Sequence, residues 1–251
     1  MMWTLKNIAE LLKQPISQTS DREVVQLSVD SRTIKQGMVF VALKGDKYDG
    51  HLFVEEVLEK KAAAAIVEHS WYEKSGQNKE GILFPVKNPL RVLQKIAKEY
   101  RTQFHIPVIG ITGTNGKTTT KEMLSAVLST QFTVAKTIGN FNNHIGLPLT
   151  ICSWSGPEDI GVLEMGINHF GELTQLCDIA KPSLGLITNI GKGHLEFLKD
   201  LDGVTKAKCE LLDYLPSEGY AFINGDDPHL VPCKSIVRNT VTFGFSDSCD
   251  I

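Results

Sequence analysis

Residues 110–120 read GITGTNGKTTT, directly behind the apolar run HIPVI (105–109). An apolar run that hands over to a glycine-rich turn and then to helix-compatible residues predicts a strand, a loop and a helix beginning near Thr118. Gly113, Thr114, Asn115, Gly116, Lys117 and Thr118 form that turn. Glycines let backbone N–H groups approach phosphate oxygens, a helix N-terminus favours negative charge, and lysine adds a cation. A hydroxyl directly after the lysine suits Mg²⁺, and Thr119 extends the run of hydroxyls. The longer pattern GxxxxGK[ST] is not met, because Ile111 stands at its first glycine; the shorter GxxGKT is present. A plain glycine turn is the competing reading, and the strand before with the helix after favours a nucleotide-phosphate site.

Outward from the loop, apolar strands alternate with helical stretches. Downstream come strand TVAKT, a helix around 143–153, strand IGVLEMG, helix GELTQLCDIA, strand LGLITNI, a helix over 202–215, and strands YAFIN and TVTFGF. This alternation predicts an α/β fold with a mostly parallel sheet flanked by helices. Upstream, an amphipathic helix (Leu5, Ile8, Leu12) precedes strands VVQLSVD and MVFVALKG, helix HLFVEEVLEKKA, and strands AAAIVE and ILFPV. The polar stretch HSWYEKSGQNKEG between the last two reads as a loop. Asn88 and Pro89 open a helix that bridges to the second domain. The expected division is therefore a small N-terminal α/β domain over 1–87 and a central P-loop-type domain over 88–251.

Bulk properties exclude several function classes. Of 251 residues 42% are hydrophobic and the formal net charge is −3, so no basic footprint for nucleic acid exists. No apolar run approaches the roughly 20 residues that cross a bilayer, and the N-terminus is not a secretory signal. The five cysteines are spread through the chain without a CxxC pair, which argues against zinc and a disulfide framework. A cytoplasmic protein is expected.

Other residues acquire meaning from the loop. Glu164 closes strand IGVLEMG at the sheet edge where α/β proteins bind ligands, a natural place for a Mg²⁺ carboxylate. His194 follows strand LGLITNI at the same edge. The run TIGNFNNHIGLPLT (137–150) concentrates amides able to bond phosphate, sugar or peptide. In the helix LDGVTKAKCELLDYL, Lys206 has Asp202 and Glu210 four residues away and belongs to the solvated face. Lys208 instead shares a face with Val204, Leu211, Leu212 and Leu215 and points inward. It either snorkels to water or is neutralised or modified.

The blocks VDSR (29–32), GMVFVALKGDKYDGHLF (37–53), GITGTNGKTTTKEM (110–123), GNFNNHIGLPLT (139–150), LEMGINHFGEL (163–173), ITNIGKGHLEFL (187–198) and AKCELL (207–212) resemble the Mur ligases over essentially the whole chain. The resemblance implies an ATP-dependent ligase of cytoplasmic peptidoglycan precursor synthesis, with UDP-MurNAc-tripeptide and D-Ala-D-Ala as substrates and a monomeric state. It implies that ATP activates the substrate carboxylate as an acyl phosphate, which the incoming amine converts to an amide. By position, Lys117 would hold ATP phosphates, Thr118 would bind the nucleotide's Mg²⁺, and Glu164 and His194 would serve two metal sites. Lys208 falls where the family carries a carbamylated lysine that helps bind the second Mg²⁺. Ser31, Arg32, Lys44, Gly45 and His51 fall in the UDP-MurNAc-binding segments of domain 1–87, and Asn140, Asn142 and Asn143 would line the muramoyl-peptide path. The family also has a C-terminal domain, whereas this chain stops at SDSCDI, so a weakly active or inactive fragment is expected. Folylpolyglutamate synthase, which lacks the VDSR to GDKYDGHLF segment, and a non-catalytic UDP-sugar and nucleotide-binding module are the rival readings.

Overall fold

The computed structural model describes residues 3–15, 21–77 and 81–251. The chain divides into two compact units, Met1–Gln103 and Phe104–Ile251. In the first unit, strands β1 (Leu27–Ser28), β2 (Val39–Val41), β3 (Ala64–Glu68) and β4 (Leu83–Val86) form a parallel sheet in that order. Pro85 is tolerated because β4 is an edge strand. Strands read from the sequence over 24–30 and 38–45 shrink to β1 and β2. Hydroxyl and carboxylate groups capture the backbone beyond β1: Ser28 Oγ accepts from Asp30 N–H (3.1 Å) and Asp30 Oδ1 from Arg32 N–H (3.0 Å). Such local bonds compete with a ladder.

The helix Pro89–Arg101 is capped by Asn88, whose Oδ1 accepts from Arg91 N–H at 2.9 Å. It was expected to open the second domain, yet the compact division falls after it, at Gln103. Its buried Leu93, Ile96, Ala97 and Tyr100 belong to the first unit, where Trp3 meets Tyr100 edge-on at 5.5 Å. The stretch read as a loop from His69 also differs. His69–Trp71 is α-helical and Tyr72–Gly76 π-helical, because Trp71 and Tyr72 pack on the cluster of Phe40, Val54, Val57 and Val67. Residues 78–80 of that stretch lie outside the described residues.

The second unit is a six-stranded parallel sheet. Its strands are β5 (Val108–Thr112), β6 (Val134–Lys136), β7 (Ile160–Glu164), β8 (Leu184–Ile187), β9 (Tyr220–Asn224) and β10 (Asn239–Phe243), in the order β10-β9-β8-β5-β7-β6. From β5 the chain winds to β6 and returns to β7, then crosses to β8 on the other side of β5. The strand order thus reverses at β5, which creates a crevice at the carboxyl edge of the sheet. Register places Ile111 beside Glu164 and Thr112 beside Ile187, so both neighbouring strand ends flank the turn after β5. Helix Leu201–Tyr214 buries Val204, Ala207, Leu211 and Leu212. The fold brings Cys209 Sγ to 2.9 Å from Cys233 Sγ despite their separation in sequence, and all five cysteines are free thiols. No helix among the described residues is long and apolar enough to cross a membrane.

Candidate functional site

The turn from β5 into helix Lys117–Leu128 has the backbone its glycines require. Gly113 has φ +142 and Gly116 φ +80, a region that side chains avoid. At Gly113 a Cβ would also lie 1.9 Å from Thr188 Oγ1, whereas Gly116 faces open space. Gly116 caps the helix without any side-chain hydrogen bond, leaving the helix N-terminus to present N–H groups to an anion.

A second segment clasps this turn. Thr188 Oγ1 donates to Asn115 O (2.7 Å), and Asn189 Nδ2 does so at 3.1 Å. Asn189 accepts through Oδ1 from Asn115 N–H (3.0 Å) and through its carbonyl from Thr114 N–H (2.9 Å). Gly191 N–H donates to Thr114 Oγ1 at 2.9 Å. Behind them, Asp227 accepts from Ile190 N–H at 2.6 Å. Sequence reading passed over Thr188, Asn189 and Asp227; the signal was polar residues directly after an apolar strand, the position already credited to Glu164.

Two lysines converge on the turn. Lys117 Nζ donates to Gly113 O and Thr114 O, both at 2.9 Å. Lys208 Nζ, only 4% exposed, donates to the same Gly113 O at 2.9 Å. The inward reading of Lys208 holds, and Lys206 is exposed. Glu210 differs from its reading: rather than sharing only the solvated face, it accepts from Gly171 N–H (2.7 Å) and Thr174 N–H (3.0 Å) at the start of helix Glu172–Ala180. Burial pushes the Lys117 pKa down, with Glu164 opposing. Burial, then repulsion from Lys117, lowers Lys208 to about 8.

Beside the lysines, Glu164 is 2% exposed. Its Oε2 accepts from Thr118 Oγ1 (2.9 Å) and its Oε1 from Asn142 Nδ2 (2.8 Å). A buried carboxylate and a hydroxyl meeting at a glycine-flanked helix start are the hard oxygen donors that Mg²⁺ prefers. The fold therefore gathers Gly113, Lys117, Thr118, Asn142, Glu164 and Lys208. Thr119 is exposed on the same first helical turn. His194 is not drawn in: it is exposed, with φ +54, and no hydrogen bond of its ring is formed among the described residues. Among those residues no group of three or more His, Cys, Asp or Glu could hold a metal. The other asparagines separate by role. Asn143 Oδ1 accepts from Ile145 N–H and Gly146 N–H (3.0 and 2.9 Å) and so caps helix Gly146–Cys152, while Asn140 is exposed.

The candidate residues of the first unit are mostly bonded to neighbouring groups of the same unit. Arg32 forks onto Asp30 (2.8 and 2.6 Å), which holds the Asp30 carboxyl down at about 2. Ser31 is buried and its carbonyl accepts from Lys60 Nζ (3.1 Å). Gly45 N–H donates to Tyr48 O (2.9 Å), and exposed Lys44 lies 3.9 Å from Asp49 Oδ2. His51, 3% exposed, accepts Glu68 N–H at Nε2 (2.9 Å), so Nδ1 carries the proton toward Asp49 Oδ1 (2.6 Å). Both ring nitrogens are thereby committed to holding the turn.

Known proteins share this chain's sequence and fold. Residues 111–251 match the Mur ligase middle domain, and residues 23–101 match the Mur ligase family catalytic domain. The chain is 41% identical over 243 residues to the UDP-N-acetylmuramoyl-tripeptide--D-alanyl-D-alanine ligase of Bacillus subtilis, covering 96% of this chain and 52% of that one. The structure of MurF from Acinetobacter baumannii superposes with a TM-score of 0.87 at 30% identity, covering 100% of this chain and 55% of its own. MurF ligase from Thermotoga maritima in complex with ADP gives 0.79 at 36% identity, covering 88% and 50%. The chain spans about half the length of the curated relatives it matches.

Proposed function

The chain belongs to the Mur ligase family, and from that membership we propose that it carries the substrate- and ATP-binding units of an ATP-dependent ligase joining D-Ala-D-Ala to UDP-MurNAc-tripeptide. The observation that carries the reading is the convergence of Lys117 and Lys208 on Gly113 O beside the Thr118–Glu164 pair. In the overall reaction the γ-phosphoryl group of ATP passes to the tripeptide's terminal carboxylate, releasing ADP. The D-Ala-D-Ala amine then attacks the acyl phosphate, forming the amide and releasing phosphate and a proton. Two anions must be brought together, so catalysis here is largely charge neutralisation and positioning.

Each residue has a task in that scheme. The N–H groups of Gly116 and the first helical turn cradle phosphate oxygens, with Thr119 beside them. Gly113 lets that backbone approach, Asn189 fixes the Thr114 and Asn115 N–H groups to shape the loop, and Lys117 turns from the loop carbonyls to the phosphates. Thr118 and Glu164 hold the nucleotide's Mg²⁺, whose charge offsets that of the phosphates. Lys208, as a carbamate, would hold a second Mg²⁺; His194, exposed and not gathered with it in this structure, would have to turn inward to join it. The environment of Lys208 favours that modification: a pKa near 8 makes its neutral amine accessible near neutral pH, and a carbamate replaces repulsion from Lys117 with attraction. The first unit takes the UDP-sugar through Ser31, Arg32, Lys44 and Gly45, with His51 holding the turn. Asn140 extends toward the muramoyl-peptide, and Asn142 and Asn143 shape that path.

Calorimetric titration of the whole chain tests the reading. ADP with Mg²⁺ and UDP-MurNAc-tripeptide are each expected to bind at separate sites, ADP binding being lost in Lys117→Ala and UDP-sugar binding weakened in Arg32→Ala. Failure of ADP to bind, or undiminished binding to Lys117→Ala, refutes the nucleotide assignment.

A further inference from the structure

Lys121 stands one turn after Lys117 on the Lys117–Leu128 helix and is 0% exposed. Its Nζ donates to Thr137 O at 2.9 Å and lies 2.9 Å from Glu122 Oε1. An apolar side chain would fill that place without the cost of burying a cation. What lysine adds is a directed grip on the Thr137 carbonyl. Glu122, half exposed and also paired with Lys136, balances the charge from the solvent side.

Thr137 is a junction. It is fully buried where β6 ends and the asparagine-bearing segment 138–145 begins. Its N–H donates to Val162 O (3.1 Å) inside β7, and its hydroxyl accepts from Glu164 N–H (3.0 Å). Its carbonyl belongs to Lys121. Glu164 is thus fixed from two sides, its backbone by Thr137 and its carboxylate by Thr118 and Asn142. Asn142 lies five residues beyond Thr137, and its own carbonyl accepts from Gly166 N–H (2.8 Å).

We infer that Lys121 is a positioning residue for the magnesium carboxylate: through Thr137 it fixes Glu164 opposite the Thr118 hydroxyl and sets the root of the segment carrying Asn142. The inference rests on the reading that Thr118 and Glu164 hold the nucleotide's Mg²⁺. Residues that orient metal ligands, when replaced, typically lower metal affinity by ~10–100-fold.

The test is calorimetric titration of the whole chain with ADP, with and without Mg²⁺. In the wild type, Mg²⁺ strengthens ADP binding. Lys121→Met is expected to lose ~10-fold or more of that magnesium-dependent gain while magnesium-free ADP affinity stays within about twofold. Thr137→Val, which removes the hydroxyl but not the carbonyl, follows the same pattern, and Thr137→Ser behaves as wild type. Should Lys121→Met fail to fold, the Thr137 pair decides. An undiminished magnesium gain in both Lys121→Met and Thr137→Val overturns the inference, and so does an equal loss of magnesium-bound and magnesium-free ADP, which marks mere structural damage. A wild-type chain indifferent to Mg²⁺ refutes the underlying metal reading instead, and the inference with it.

Discussion

The carboxyl edges of the two parallel sheets are built alike and used differently. In the first unit, polar side chains at that edge spend their capacity on one another: Asp49 and Glu68 N–H take both nitrogens of His51, and Asp30 takes the Arg32 fork. In the second unit the edge holds a buried carboxylate, a buried lysine and a half-buried one whose partners include backbone carbonyls, groups that a ligand can replace. The first edge is a shaped surface already at rest. The second, on the proposed reading, is an electrostatic site that gains partners on binding. Topology explains the contrast, because only the second sheet reverses its strand order, at β5, and opens a crevice there.

The largest expected effect tests the tightness of the second edge. Gly113→Ala combines an unfavourable φ with a clash on Thr188 and is expected to cost roughly 2–6 kcal/mol of stability by denaturant melts. Gly116→Ala meets only the backbone penalty, about 1–2 kcal/mol; equal losses at the two positions would contradict the clasp by Thr188. Next, Lys117→Ala should weaken ADP binding by about 2–4 kcal/mol in calorimetry while leaving the thermal midpoint near wild type. A large drop in midpoint would instead make that lysine a part of the resting structure, like His51.

His51→Ala probes the first edge. It leaves the Glu68 N–H without its acceptor and should cost about 1–3 kcal/mol of stability, with ADP affinity in the second unit unchanged. The smallest effect concerns Asp30 and Arg32. Because the Arg32 hydrogen bonds hold the Asp30 carboxyl at about 2, below its unfolded value, their contribution is present above pH ~4 and is lost as pH falls toward 2. Arg32→Ala should therefore lower the thermal midpoint slightly at pH 7 and by less at pH 2, where the Asp30 carboxyl is about half protonated, and salt should shrink the difference, since the guanidinium is exposed.

Much of this was legible because its causes are local. The strand, glycine turn and helix around 110–120 follow from side-chain type and backbone freedom, and the inward face of Lys208 follows from helical spacing. The same spacing puts Lys121 with Leu124, Ser125 and Leu128 on one face, so its burial was also written there, though overshadowed by the loop lysine beside it. The segment from His69 misled because polar composition suggests a loop, while Trp71 and Tyr72 had a core to pack against. The three asparagines of 140–143 are indistinguishable as letters; one bonds Glu164, one caps a helix and one faces solvent.

By itself, the sequence determined the alternation of strands and helices, the phosphate-type turn and the inward lysine of helix Leu201–Tyr214, since periodicity and glycine geometry act over a few residues. Only the tertiary structure decided that Thr188 and Asn189 clasp the turn, that two lysines share Gly113 O, and that Lys121 reaches Glu164 through Thr137. Apart from the local Lys117–Gly113 bond, those links join residues from 16 to 95 positions apart, and a hydrogen bond between distant groups depends on strand order and register, which no local pattern encodes.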